Sequence, residues 1–208
     1  MGIEIPQNKF LILDGAMGTV LQQRGLSPQG RPELLNLTEP ELLDSVYKEY
    51  IAAGSQVIYA NTFGANGLKL AKTGHSVEEV VGAAIAVAKK AAAGTGTLVA
   101  LDVGPLGELL EPMGTLSFER AYDLFREMAE AGAKAGADLI VVETMTDLYE
   151  AKAALLAAKE AAHLPVFVTM SFDAGGRTFT GCTVASMART LEGLGADAIG
   201  LNCSLGPD

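Results

Sequence analysis

Six short apolar runs recur along the chain, each stopping at a polar residue. They are Phe10-Leu11-Ile12-Leu13, Val57-Ile58-Tyr59-Ala60, Leu98-Val99-Ala100-Leu101, Asp138-Leu139-Ile140-Val141-Val142, Pro165-Val166-Phe167-Val168-Thr169-Met170 and Ala196-Asp197-Ala198-Ile199-Gly200-Leu201. The runs are continuous rather than alternating. That is the pattern of strands buried on both faces, as in a parallel sheet covered by helices.

Between the runs, apolar residues fall three and four apart. Thr38-Glu39-Pro40-Glu41 reads as a capping box, with Thr38 as N-cap and Pro40 in the first turn. The helix it opens carries Leu42, Leu43, Val46, Tyr47, Tyr50 and Ile51, and Gly54 ends it. A second helix spans Val77 to Ala93, with Glu78 and Glu79 early and Lys89 and Lys90 late, as the helix dipole favours. Ser117 caps a third, which presents Phe118, Tyr122, Phe125 and Met128 on one face and closes near Gly136. Asp147 caps a fourth, running to about His163, and Thr183 or Ser186 opens a fifth that ends near Gly195. Asp14-Gly15-Ala16-Met17-Gly18-Thr19 reads as a turn with two glycines, and the polar stretch after it carries Pro28 and Pro32.

Repeated strand–helix units predict an α/β fold. No Gly-x-Gly-x-x-Gly fingerprint follows the first strand, and the strands end on different polar groups. A (βα)8 TIM-type barrel is therefore expected rather than an open sheet. Six βα units are counted where a closed barrel has eight. The expectation is one domain over residues 1–208, C-terminally incomplete, with two units missing after Asp208.

Composition narrows the class. A chain of 208 residues with 49% hydrophobic and 19% charged residues supports one domain with a sizeable core, not disorder. The formal charge of -10, with Lys and Arg scattered, disfavours nucleic acid as a partner. No apolar run approaches the roughly 18 residues of a membrane span, and Met1 to Phe10 lack a signal pattern. Two Cys give no disulfide framework, so a cytoplasmic location is expected.

The chemistry-bearing candidates stand where the strands run out: Asp14, Asn61, Asp102, Glu143, Asp173 and Cys203. In parallel α/β folds the carboxyl ends of strands converge on one mouth. Carboxylates at Asp14, Asp102 or Glu143 can hold an ammonium group through charge-assisted hydrogen bonds. The backbone of Gly15-Ala16-Met17-Gly18 can offer N–H groups to a carboxylate. An amino acid has both groups. No His lies at a strand end, since His75 is in a loop and His163 at a helix end. Cys203 is therefore read as a soft-metal thiolate rather than half of a Cys-His pair, and Cys182, just before a predicted helix, as structural.

Leu13-Asp14-Gly15-Ala16-Met17-Gly18-Thr19, Ala60-Asn61-Thr62-Phe63, Gly104-Pro105, Glu143-Thr144-Met145 and Gly200-Leu201-Asn202-Cys203-Ser204 resemble the homocysteine S-methyltransferase family. The longer phrases Glu143-Thr144-Met145-Thr146-Asp147 and Asn202-Cys203-Ser204-Leu205-Gly206-Pro207 are most similar to the homocysteine-binding domain of cobalamin-dependent methionine synthases. The resemblance implies a Zn²⁺ held by three Cys thiolates, with homocysteine's sulfur taking an open position on the metal. It implies Cys203 as one zinc ligand and Asp14, Gly15, Ala16, Asn61, Asp102, Glu143 and Asn202 as binders of the amino-acid moiety. It implies methylcobalamin as donor, ultimately methyltetrahydrofolate, with cobalamin-binding and folate-binding domains or proteins as partners. No residue is assigned a catalytic role of its own.

The family's other two zinc cysteines lie in a Gly-Gly-Cys-Cys phrase that has no counterpart here. One thiolate cannot build a three-Cys site, so weak zinc binding and little activity are expected of this chain by itself. Two alternatives remain at this point. One is a non-catalytic partial-barrel module that self-associates through exposed strand edges or pairs with a separate remainder. The other is a metal-free barrel enzyme that uses Asp and Glu as acid and base on an amino acid.

Overall fold

Parallel pairing ties the apolar runs together in chain order. A computed structural model describes residues 10–27 and 30–204. Pro28, and the Leu205-Gly206-Pro207 end of the Asn202 phrase, lie outside those residues. Strands β1 (Val57–Tyr59), β2 (Leu98–Val103), β3 (Leu139–Met145), β4 (Val166–Met170) and β5 (Ala198–Leu201) form one sheet in the order β1-β2-β3-β4-β5. Every neighbouring pair is parallel. Eight helices accompany it among the described residues: α1 (Met17–Gln23), α2 (Leu35–Thr38), α3 (Pro40–Ala52), α4 (Gly67–Leu70), α5 (Val77–Ala92), α6 (Phe118–Ala135), α7 (Leu148–Ala162) and α8 (Val184–Gly193). A 3-10 turn covers Pro32–Leu34.

Short polar side chains set most of the helix starts. Ser76 accepts from the Glu79 N–H, Ser117 from Arg120, Asp147 from Tyr149 and Thr183 from Ser186. Each satisfies a first-turn donor that the helix itself cannot. The choice between Thr183 and Ser186 is thereby settled for Thr183. Gly136 closes α6 at φ 92°, a conformation that costs glycine little.

Three expectations are corrected. The first apolar run is not a strand: it makes a single bridge, Leu13 to Val57. Its pairing is confined to a few bonds, with Gln56 and Val57 N–H donating to Ile12 O and Asp14 N–H to Val57 O. Among the described residues β1 is its one neighbour, and Phe10 is 92% exposed. Thr38 is not a helix cap. It ends α2, where its hydroxyl donates to Leu34 O, and Pro40 forces the break before α3. The two-glycine turn after Asp14 holds only to Ala16, because Met17 and Gly18 already belong to α1.

Strand alternation divides the core in two. Ile58, Val99, Leu101, Ile140, Val142, Val166, Val168 and Met170 face the helices and join the large cluster, where Tyr47, Ile85, Phe125 and Met128 pack. Val57, Ala100, Leu139, Val141 and Phe167 point the other way and form a small cluster with Leu11, Tyr59, Leu98 and Ala198. An apolar layer on the side of the sheet away from the helices is what the inside of a (βα) barrel requires. The same period of two carries Tyr59, Asp102 and Glu143 onto that inner side, one step further along β1, β2 and β3. The fold thus positions the site. Ile199 and Leu201 on β5 are 40% and 54% exposed.

Candidate functional site

The inner apolar layer ends at a cavity of about 530 Å³ bordered by Asp14, Tyr59, Asn61, Asp102, Glu143 and Cys203. The stretch Gly15 to Thr19 lines the same cavity, as do Phe63, Glu33, Thr144 and Asn202. Every candidate substrate residue expected from sequence therefore reaches one cavity. Asp173 does not. Its carboxylate accepts from the Gly175 and Arg177 N–H groups and shapes the turn after β4.

Each side chain is held differently. Asp14 spends one oxygen on the fold, accepting from the Tyr59 N–H at 2.8 Å, and this fixes the loop against β1. Its other oxygen, Oδ1, is buried with no hydrogen-bond partner among the described residues. Asp102 lies inside β2, which runs to Val103, two residues past the end the sequence pattern placed at Leu101. The Thr62 hydroxyl bonds both its carbonyl and its N–H, at 2.7 and 3.0 Å, which pins the backbone and leaves the carboxylate to the cavity. Asp102 Oδ1 is likewise buried and unpartnered among the described residues. Buried carboxylate oxygens without a donor are costly. Asp44 Oδ1 on α3 is unpartnered too among the described residues, so what sets Asp14 and Asp102 apart is that both border one cavity.

Glu143 is organised by Asn202, whose side-chain amide donates to Glu143 Oε2 and to the Thr144 hydroxyl, both at 2.9 Å. Asn202 Oδ1 accepts from the Thr144 N–H at 3.1 Å. Thr144 adopts φ 60°, and here the β3–β4 register shifts. A left-handed Thr is uncommon and marks a locally constrained backbone. Asn61 is the most structural of the set. Its amide donates to Pro32 O, and its backbone is tied to the Tyr47 hydroxyl and to Asn36.

Like charge crowded in a dry place shifts the titrations. Burial, opposed by the Tyr59 N–H and reinforced by Glu143, raises the Asp14 carboxyl to about 7. Burial again, then the charges of Glu143 and Asp14, holds Asp102 well above the ordinary carboxylate value. Burial also raises Glu143, against the hydrogen bond from Asn202. The Tyr59 hydroxyl, dried by burial and facing all three carboxylates, stays protonated to high pH.

Ala16, which also lines the cavity, stands at the N-cap of α1 and no side chain caps it. The first-turn N–H groups of that helix lack intrahelical acceptors. Cys203 follows β5 at φ 45° and is exposed. Cys182 lies elsewhere, lining a shallow hollow with Asp147 and Thr190. No three His, Cys, Asp or Glu side chains cluster among the described residues in a way that would hold a metal ion. The residues present do not assemble a three-thiolate zinc centre.

Tyr59, Thr62, Phe63 and Thr144 were not expected as site residues, although Thr62, Phe63 and Thr144 lie in the phrases that carry the family resemblance. Tyr59 was recoverable, since its spacing of two from Val57 already put it on the inner face.

The profile of the family described as homocysteine S-methyltransferase matches residues 11–208. Methionine synthase of Mycobacterium tuberculosis (strain ATCC 25618 / H37Rv) is 32% identical over 225 residues, covering 99% of this chain and 19% of the relative. Methionine synthase of Mycobacterium leprae (strain TN) is also 32% identical, covering 99% of the chain and 18% of the relative. The chain thus spans about a fifth of the length of these curated relatives. Among solved structures, the metallated form of the homocysteine methyltransferase MmuM from Escherichia coli superposes with a TM-score of 0.82 at 26% identity. That match covers 94% of this chain and 75% of the other.

Proposed function

The chain belongs to the homocysteine S-methyltransferase family, and from that premise we propose that its cavity holds the amino-acid end of homocysteine for methyl transfer to the thiol, giving methionine. The observation that carries this reading is the pair of buried, unpartnered oxygens, Asp14 Oδ1 and Asp102 Oδ1, beside the uncapped first turn of α1. The ammonium group supplies the donors that the two carboxylates lack. The carboxylate of the substrate lies toward the N–H groups of Gly15, Ala16 and the residues after them. Glu143, held by Asn202, completes the ammonium site, and Asn61 shapes its floor. The side chain then extends along Phe63 toward the Cys203 side of the mouth.

Cys203 would supply one thiolate to a metal, and the remaining ligands are not among the described residues. Zinc in such a site lowers the pKa of a bound thiol. No step is routed through it here. The methyl donor in this reading is the one that the sequence resemblance implies: methylcobalamin, recharged from methyltetrahydrofolate, each handled by other domains or proteins, with homocysteine as the small-molecule partner.

Calorimetric titration with L-homocysteine at pH 6 and pH 8 tests the reading. An ammonium ion needs its carboxylates ionised, and Asp14 titrates at about 7. Binding is therefore expected to be tighter at pH 8, and to release protons below that, seen as an enthalpy that varies with the buffer's own ionisation heat. An affinity unchanged between the two values, or tighter at pH 6, contradicts it.

Metal content separates the amino-acid site from the metal site. After dialysis against a zinc buffer, atomic absorption is expected to find far less than one zinc per chain, while homocysteine still shows its pH-dependent binding. A full equivalent of tightly held zinc would mean that Cys203 is joined by ligands from another chain.

A further inference from the structure

One buried acid lies outside the cavity and plays no part in the reading above. Glu150, 4% exposed on the first turns of α7, turns its carboxylate onto the backbone N–H of Leu106 at 2.7 Å. From the other side, Lys69 of α4 donates its ammonium to Pro105 O at 2.8 Å. The two side chains thus hold opposite ends of one peptide unit, Pro105–Leu106, in the loop that follows β2. A carboxylate on an N–H and an ammonium on a C=O are both charge-assisted contacts, stronger than their neutral counterparts.

What the peptide carries is the wall of the cavity. Gly104, just before it, donates its N–H to Phe63 O at 3.0 Å. The Phe63 ring lies so close to Gly104 that a Cβ there would come within 2.5 Å of it. The Lys69 ammonium also sits over that ring, 5.6 Å from its centroid. Phe63 itself lines the cavity, and Asp102 lies two residues before Gly104 on the same backbone. Lys69 is anchored in turn, its own carbonyl accepting from the Arg31 guanidinium.

We propose that Lys69 and Glu150 form a positioning clamp on the Pro105–Leu106 peptide that sets the Phe63 wall of the substrate cavity. Its value as a substrate-positioning device rests on the homocysteine reading above; its existence as a clamp does not. The clamp is sensitive to protons near neutrality. Burial, offset by the Leu106 N–H and by Lys69 and reinforced by Asp147 on the same helix, raises Glu150 to about 7. The groups facing Glu150 are thus Asp147 from α7 and Lys69 from α4, with Glu33 opposite Lys69. Protonating Glu150 turns a charged acceptor into a neutral one and removes one of the two counter-charges of Lys69, leaving Glu33.

The test is backbone amide NMR from pH 5.5 to 8.5 with homocysteine titrations, on the whole chain and on Glu150→Gln, Lys69→Met and Lys69→Arg. In the parent chain the Leu106 amide proton is expected to move downfield with a midpoint of about 7, with Phe63 signals following the same curve. Glu150→Gln should flatten both curves. Glu150→Gln and Lys69→Met should each weaken homocysteine roughly three- to tenfold, the loss of one charge-assisted contact acting at a distance. Together they should weaken it no further than the worse single change, and Lys69→Arg should restore most of the affinity. A Leu106 amide that does not titrate overturns the clamp, as do Phe63 signals indifferent to Lys69→Met. If Glu150→Gln fails to fold, the parent titration and the Lys69 pair decide. If the parent chain binds no homocysteine, the functional reading falls, and the Leu106 and Phe63 curves still judge the clamp.

Discussion

Asp102→Asn is expected to weaken L-homocysteine binding by roughly 10- to 100-fold, the loss of one charged hydrogen-bond partner of about 1.5–3 kcal/mol. The same change should make the unliganded protein more stable at pH 8. The opposite signs come from one property of the site. A carboxyl that holds its proton more tightly folded than unfolded opposes folding as pH rises from its unfolded value, 3.8, through the higher folded one. Below the unfolded value both states are protonated and the opposition vanishes. Asp102 is raised mainly by burial and then by Glu143 and Asp14, so ionising it inside the fold is costly until a cation arrives. Thermal melts of Asp102→Asn against the parent should therefore diverge at pH 8 and converge toward pH 4. Asp14→Asn should follow the same pattern more weakly on stability, because Asp14 also spends an oxygen on the Tyr59 N–H. A variant both less stable at pH 8 and unaltered in affinity would show that Asp102 serves the fold alone.

This trade between stability and binding explains why the site is recognisable as a site. Asp138, a carboxylate that serves the fold, takes both the Val99 N–H and the Lys89 ammonium on Oδ2 and is part exposed. Asp197 repeats that arrangement with the Val166 N–H and Lys159. Both sit at the start of a strand, at the end opposite the cavity, where a barrel's residues serve stability. Asp14 and Asp102 sit at the other end and keep an oxygen free of protein donors. Local strain there belongs to the functional end.

Much of this was legible in the chain. Continuous apolar runs gave away a sheet buried on both faces, and the polar residues at their ends named the cavity's lining. Asp102 and Glu143 were found although β2 and β3 run past the expected ends, because the pattern is carried by the first apolar positions and not by where the ladder stops. The first run misled, because an apolar run becomes a strand only if partners extend it, and Leu13 finds one bridge. Thr38 misled because the residues before it were already helical, which no local capping signal reveals. Asp173 looked like the other strand-end acids and proved a turn former, a distinction that depends on the Gly175-Gly176-Arg177 chain folding back onto it. The clamp on Pro105–Leu106 depends on contacts 36 and 44 residues apart, and neither it nor the free oxygens leave a short-range mark.

Leu101→Ala should cost about 2–5 kcal/mol, the range for deleting a fully buried leucine side chain, and adding Gly132→Ala should return part of it. Leu101 has no exposed surface and belongs to the core between sheet and helices. Its methyl groups press on α6 at Gly132, where a Cβ would stand 2.7 Å from Cδ2 and 3.0 Å from Cδ1. Glycine in a helix interior is less favourable than alanine by about 0.8–1.0 kcal/mol, so its presence at this point needs a packing reason, and Leu101 is that reason. By itself Gly132→Ala sets the helix gain against a crowded, fully buried leucine, and a net loss is expected. With Leu101 shortened, the new methyl enters the vacated volume and the helix gain is realised. Urea melts of the four proteins should give a coupling of roughly 1–2 kcal/mol in the stabilising direction, within the range for residues in contact. Additive effects would mean that α6 and β2 shift apart instead of packing tooth to gap. The affinity for homocysteine makes the same measurement reach the site, because Leu101 precedes Asp102 on β2. Where α6 seats β2 decides where that carboxylate stands. Leu101→Ala should weaken binding as well as stability, and Gly132→Ala in that background should recover both together.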